Sequence, residues 1–170
     1  TKKEKLNRYS ILIFLFSFSL LLSKEKSPAY IQNFSGDVFI ESTDQKKKII
    51  PAIIGRRVES GDIIKVLDNS TCDIQTEDKR TFIKMDEKSE IKFLDRMEIR
   101  EVYLKNGSLY IHNINTNSKN RTYLFSNHSQ IYLTNTKLWV SIKNSIIDKI
   151  YSFGDEIFIS DKHKGKKLIL

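Results

Sequence analysis

The chain has one cysteine, two prolines and six glycines among 170 residues. A lone thiol at Cys72 excludes an intramolecular disulfide and a cysteine cage around a metal, so Cys72 reads as a small apolar packing residue. With 39% apolar and 29% charged residues, glycine and proline this scarce also exclude fibrous and disordered classes. The length suits one domain with a real core. The three histidines, His112, His128 and His163, show no spacing that would bring two ring nitrogens to one metal. No phosphate-cradling glycine loop, serine elbow or activated-cysteine context is present. The acids Asp37, Asp62, Asp73, Glu90 and Asp155 fall at predicted turns or strand surfaces, not as a pair set for acid–base work. The expectation is a protein with no catalytic residue, no cofactor and no metal.

Acidic residues are outnumbered, 21 against 29 Lys and Arg, for a net charge of +8. Such a balance suits nucleic acid, anionic lipid or an acidic wall polymer. No arginine-rich helix interleaved with aromatics appears, so nucleic acid is not an expected partner, and lysine is spread along the chain as on a solvated surface. Lys2, Lys3, Lys5 and Arg8 form a positive head before the apolar run Ile11 to Leu22, which is an export signature. The run is twelve residues long, short of the roughly 20 that a spanning helix needs. It reads as the hydrophobic helix of a signal peptide, with small residues at Ser27-Pro28-Ala29, or as an uncleaved signal anchor. No cysteine lies directly after the run, so lipid attachment is not expected. The predicted organisation is residues 1–29 as signal or anchor and 30–170 as the folded domain. Its place is periplasmic or otherwise extracytoplasmic, with membrane contact only through residues 11–22.

From Tyr30 onward short apolar segments alternate with polar residues at period two, bounded by Gly, Asn, Asp, Ser or Lys, which is strand grammar. Strands are predicted at 31–34, 38–40, 49–54, 63–67, 72–76, 82–85, 90–94, 99–104 and 109–114. More follow at 123–125, 130–133, 138–142, 146–153, 156–159 and 167–170. Asp95 to Glu101 has room for one helical turn, too short and charged to stand without tertiary support. Asn106-Gly107 between two apolar segments predicts a tight hairpin, with similar turns at Asp68-Asn69-Ser70 and His163-Lys164-Gly165 and a bend at Gly154. The fold class is all-β, one domain of many short strands, rolled and solenoid-like or a jelly-roll sandwich.

Gly55-Arg56-Arg57-Val58-Glu59-Ser60-Gly61-Asp62 with Ile63-Ile64 resembles the G-x-x-(apolar)-x-x-G-D-x-I element of the FecR domain family. Upstream, Ser35-Gly36-Asp37-Val38 is similar to the family's opening strand. Downstream come Asn69-Ser70-Thr71, Ser89-Glu90-Ile91, Asn106-Gly107-Ser108-Leu109, and Asn135-Thr136-Lys137-Leu138-Trp139-Val140 in place of G-T-x-F-x-V. The likeness runs in order from Gly36 to Val140. Gly55 and Gly61 read as positive-φ turns, Asp62 as a carboxylate for nearby amides, Thr136 as a buried strand end, and Asn135 as a substitute for glycine in the left-handed region. Glu77-Asp78-Lys79-Arg80 departs from the family's Asp-Gly hairpin.

The resemblance implies a stand-alone exported FecR-like module of the bacterial cell envelope, a non-enzymatic scaffold whose partner is another envelope protein. A cell-wall or polysaccharide-binding module, meeting polymer through Lys46 to Lys48 and Lys162 to Lys167, is the alternative. A truncated sigma-regulator-like signalling protein is a third, disfavoured because the nine residues before Ser10 are too few for a sigma-binding unit. Tyr110, Tyr123, Tyr132 and Trp139 are candidates for contact, since exposed aromatics anchor partners. Alternation sets Trp139 opposite Leu138 and Val140, which makes Trp139 the leading partner-binding candidate, followed by Tyr132.

Overall fold

Side chains that alternate in character can bury one face only if the backbone is extended, and every regular element described in the computed structural model is a strand. The structure describes residues 29–43, 48–96, 98–115, 119–143, 147–153, 157–161 and 167–169. The strands are β1 (Ala29–Ser35), β2 (Val38–Glu41), β3 (Ile49–Pro51), β4 (Arg57–Val58), β5 (Ile63–Val66), β6 (Thr71–Thr76), β7 (Thr81–Met85) and β8 (Ser89–Arg96). They continue with β9 (Ile99–Asn113), β10 (Arg121–Phe125), β11 (Ser129–Leu133), β12 (Thr136–Lys143), β13 (Ile147–Ser152), β14 (Phe158–Asp161) and β15 (Lys167–Ile169). Among the described residues there is no helix.

One hydrogen-bonded sheet holds them all. It curls so that two limbs close on a single core. The first limb runs β4-β1-β6-β7-β9-β12-β13 and the second β3-β2-β5-β8-β9-β10-β11-β14-β15. Pairing is antiparallel except between β9 and β10. The core takes Ile31, Ile74, Ile83, Met85, Leu109, Ile111 and Leu138 from the first limb and Ile40, Ile64, Ile91, Phe93, Val102, Leu124 and Ile131 from the second.

The fifteen-residue β9 belongs to both limbs. Residues 99–106 pair with β8 and 107–113 with β7 and β12. Its inward side chains are Arg100, Val102 and Leu104 before the crossing and Leu109, Ile111 and Asn113 after it, so the burial phase flips at Asn106-Gly107. Gly107 has φ +82°, and a Cβ there would collide with Ser89 and lie 2.6 Å from the Lys88 carbonyl. Asn106-Gly107 therefore corrects its prediction: it is a bend inside one strand that carries the chain between limbs, and not a hairpin turn. Asp68-Asn69-Ser70 likewise joins β5 and β6 on different limbs, so it is a corner and not a hairpin.

Four such corners stack side by side, at Gly36, Asn69, Lys88 and Gly107, all with positive φ. The Asp37 amide donates to Ser70 Oγ at 2.8 Å and the Ser108 amide to Ser89 Oγ at 2.9 Å. Leu67 donates to the Asp37 carbonyl, Lys88 to that of Leu67 and Asp86 to that of Ser108. Each buried serine thus meets a backbone donor that the bend takes out of the ladder.

Other predictions change for physical reasons. The strand expected at 49–54 pairs only to Pro51, which lacks an N–H to continue the ladder. The helical turn allowed at Asp95 to Glu101 is a hairpin, with Asp95 opposite Arg100 and Arg96 opposite Ile99. Asn135 is not among the positive-φ residues; its Oδ1 accepts the Asn115 amide at 2.8 Å instead. The N-terminal run, Gly154-Asp155 and His163 to Gly165 lie outside the described residues.

Candidate functional site

Among the described residues no second layer covers the outer face of the second limb, and this face gathers aromatics. Across β9, β10, β11 and β14 the register sets one row as Glu101, Tyr123, Tyr132, Phe158 and the next as Tyr103, Phe125, Gln130, Ser160. Five rings stand on four adjacent strands. Tyr103 and Phe125 stack at 4.6 Å with planes 11° apart, so each covers a face of the other. Tyr123 is tilted against Phe125 at 6.2 Å and against Tyr132 at 5.4 Å. The result is a comb of upright rings, not a flat platform.

Two shallow clefts open in this comb. One of about 450 Å³ is lined by Tyr123, Gln130, Tyr132, Phe158, Ile159 and Ser160. Its neighbour of about 320 Å³ is bounded by Lys92, Leu94, Tyr103, Lys105, Phe125 and Asn127. The first falls within the range of small-ligand and side-chain pockets. Polar groups at the rim are fixed: the Tyr103 hydroxyl donates to Glu101 Oε2 at 3.2 Å, and Lys105 Nζ holds Glu90 at 2.9 Å. Burial and then the Glu101 carboxylate raise the Tyr103 phenol above its ordinary value, which keeps it a neutral donor.

Trp139 lies on the outer face of the other limb. The register places it between Tyr110 on β9 and Tyr151 on β13. Its ring meets Tyr151 at 5.5 Å, and its Nε1–H reaches Asp86 Oδ2 at 3.5 Å. Phe153 leans on Tyr110 at 6.4 Å. The two leading candidates, Tyr132 and Trp139, are therefore on opposite limbs and belong to separate aromatic surfaces.

The motif residues do not converge. Gly36 and Gly107 are corners, and Thr136 opens β12 with its Oγ1 accepting the Thr134 amide at 3.2 Å. Buried Asp62 accepts the Glu59 amide at 2.9 Å and the Thr43 amide at 3.3 Å. Gly61 at φ +103° faces Thr43, and Gly55 at φ +79° faces open space.

A buried polar cluster absent from the sequence reading sits at the end of the curl opposite the stacked corners. Arg100, 5% exposed, donates through Nη2 to Asp95 at 2.7 Å and to Asp78 at 3.0 Å, and through Nη1 to Thr81 Oγ1 at 2.8 Å. Thr81 Oγ1 donates in turn to Asn113 Oδ1 at 2.8 Å, and Asn113 Nδ2 donates to the Thr134 carbonyl at 2.7 Å. Burial alone would push the Asp78 carboxyl up, but hydrogen bonds from Arg100, Thr76 and the Arg80 amide, with the Arg100 charge, hold it well below the usual carboxylate range. The cluster ties the β6–β7 and β8–β9 hairpins to the end of β11 and the connection that follows it. Its signal was present in the sequence, since Arg100 shares the inward phase of Val102 and Leu104.

Among the described residues no group of acids, histidines and cysteines has metal-site geometry. Buried Cys72 has its thiol pushed up to about 12 by burial and then by Asp73. No protein-family model matches the chain, and no curated protein matches it in sequence.

Proposed function

We propose that this chain is a non-catalytic, FecR-like module of the bacterial cell envelope, rolled in the solenoid-like manner of stacked corners, whose outer second-limb face holds another envelope protein. The observation that carries the reading is the five-ring comb with its 450 Å³ cleft. Aromatics with pockets between them receive side-chain knobs, the usual anchors of protein recognition. A sugar chain instead lies along open ring faces, and the Tyr103–Phe125 stack covers one face of each of those rings. That favours a protein over a wall polysaccharide. The recurring Ser and Gly corners, spread in order from Gly36 to Ser108, support the FecR-like reading, and the Lys-headed apolar run supports export.

The test is affinity capture of in-cell crosslinked partners from the envelope fraction. With Tyr123→Ser and Tyr132→Ser together, capture of one discrete partner should fall at least tenfold, while Trp139→Ala leaves it unchanged. Equal recovery by all three proteins would remove the comb from the function.

A further inference from the structure

A second surface lies where β3 leaves the second limb for β4. After Pro51 the ladder stops, yet the backbone of the connection is held. Ala52 is buried and donates to the Val38 carbonyl at 2.8 Å, Gly55 donates to Ile31 at 2.8 Å, and Arg56 closes a turn onto Ile53 at 3.0 Å. On this fixed turn Ile53 and Ile54 are 53% and 66% exposed, and Ile49, at the other end of β3 opposite Glu41, is 62% exposed. Three aliphatic side chains left in water on an ordered segment mark a surface made for an apolar medium.

Basic side chains flank the turn on both sides, with Glu59 the exposed acid that follows Arg57. Lys48 and Arg57 are exposed, and neither they nor Arg56 form an ion pair with a described residue. Lys46 and Lys47 precede them in the sequence. The acid opposite Ile49, Glu41, is engaged by Lys65 at 2.9 Å. The turn is bonded to Ile31 on β1, and six residues, 23–28, separate β1 from the apolar run at 11–22. Six residues span at most about 20 Å. Any membrane that receives the run is within reach of the turn.

We infer that the Lys48 to Arg57 turn is a lipid-docking tip: Ile49, Ile53 and Ile54 enter the headgroup–acyl boundary of an anionic bilayer while Lys48, Arg56 and Arg57 meet its phosphates. Apolar insertion and charge attraction add in this mode of binding. An anionic polymer in water would satisfy the cations and leave the isoleucines wet. The inference rests on the reading that residues 11–22 stay in the membrane, and the test separates the two.

The full chain carries an NBD fluorophore on Ile54→Cys or, as control, on Tyr151→Cys at the opposite edge of the first limb. Cys72 is fully buried and does not take the label. With vesicles of phosphatidylcholine and phosphatidylglycerol, the label at 54 should shift to the blue and lose iodide quenching severalfold, and the label at 151 should not. A chain that floats with vesicles while both labels remain equally quenched overturns the tip and leaves the anchor reading standing. A chain that does not float overturns both. An equal blue shift with inorganic polyphosphate and no lipid also overturns the tip.

Discussion

A single inward arginine decides the chemistry at one end of the curl. Arg100 is buried between Asp78 and Asp95, so removing it leaves two carboxylates without their shared cation. Arg100→Ala is expected to lower stability by roughly 3 kcal/mol in urea unfolding, the lower end for a broken buried pair because Asp78 keeps Arg80 at 2.6 Å and some water. The acid side follows from the same contact. The Asp78 carboxyl is held below its unfolded value, so its contribution is complete above about pH 4, the ordinary carboxylate range, and fades as pH falls through that value toward the lower folded one. The wild type should therefore lose stability on acidification more steeply than Arg100→Ala. Parallel pH profiles of the two proteins would contradict the assignment.

At the scale of elements, the bend in β9 is the critical feature. Gly107 has positive φ and sits against Ser89 and the Lys88 carbonyl, whereas Gly55 has positive φ alone. Gly55→Ala should cost about 1 kcal/mol for the left-handed conformation, and Gly107→Ala at least about 3 kcal/mol in denaturant unfolding, because backbone must also move. Equal costs would mean that the close packing of the corner contributes nothing. The alternation around Gly107 was legible: Val102 and Leu104 share one parity and Leu109 and Ile111 the other. Reading Asn106-Gly107 as a hairpin misjudged it, since a dipeptide that tolerates positive φ serves a bend within a strand as well as a tight turn. Strand positions were legible because period two is local. Pairing was not, since β10 lies parallel to β9 after a connection whose length and composition name no partner strand.

The same limit governs the whole molecule. Tyr103, Tyr123, Phe125, Tyr132 and Phe158 come from four strands, and only the register sets them side by side. Alternation marked Trp139 as outward-facing, yet it could not say that Tyr132, the other candidate, lies on a different limb. Nor could it show that Ile53 and Ile54, written as the end of a strand, stand free on a turn beside β1. On the proposed reading the folded chain offers a ring-lined face for a protein and, on the further inference, a tip for lipid, with the stacked corners and the Arg100 cluster bracing the curl between them.

Photo-crosslinking in the native cell tests the protein-binding claim most directly, with p-benzoylphenylalanine placed in turn at Tyr123, Tyr132, Phe158 and Trp139. One adduct of a single added mass at the first three positions, absent at Trp139, is the predicted result. No adduct at the three, or the same adduct at all four, would contradict it.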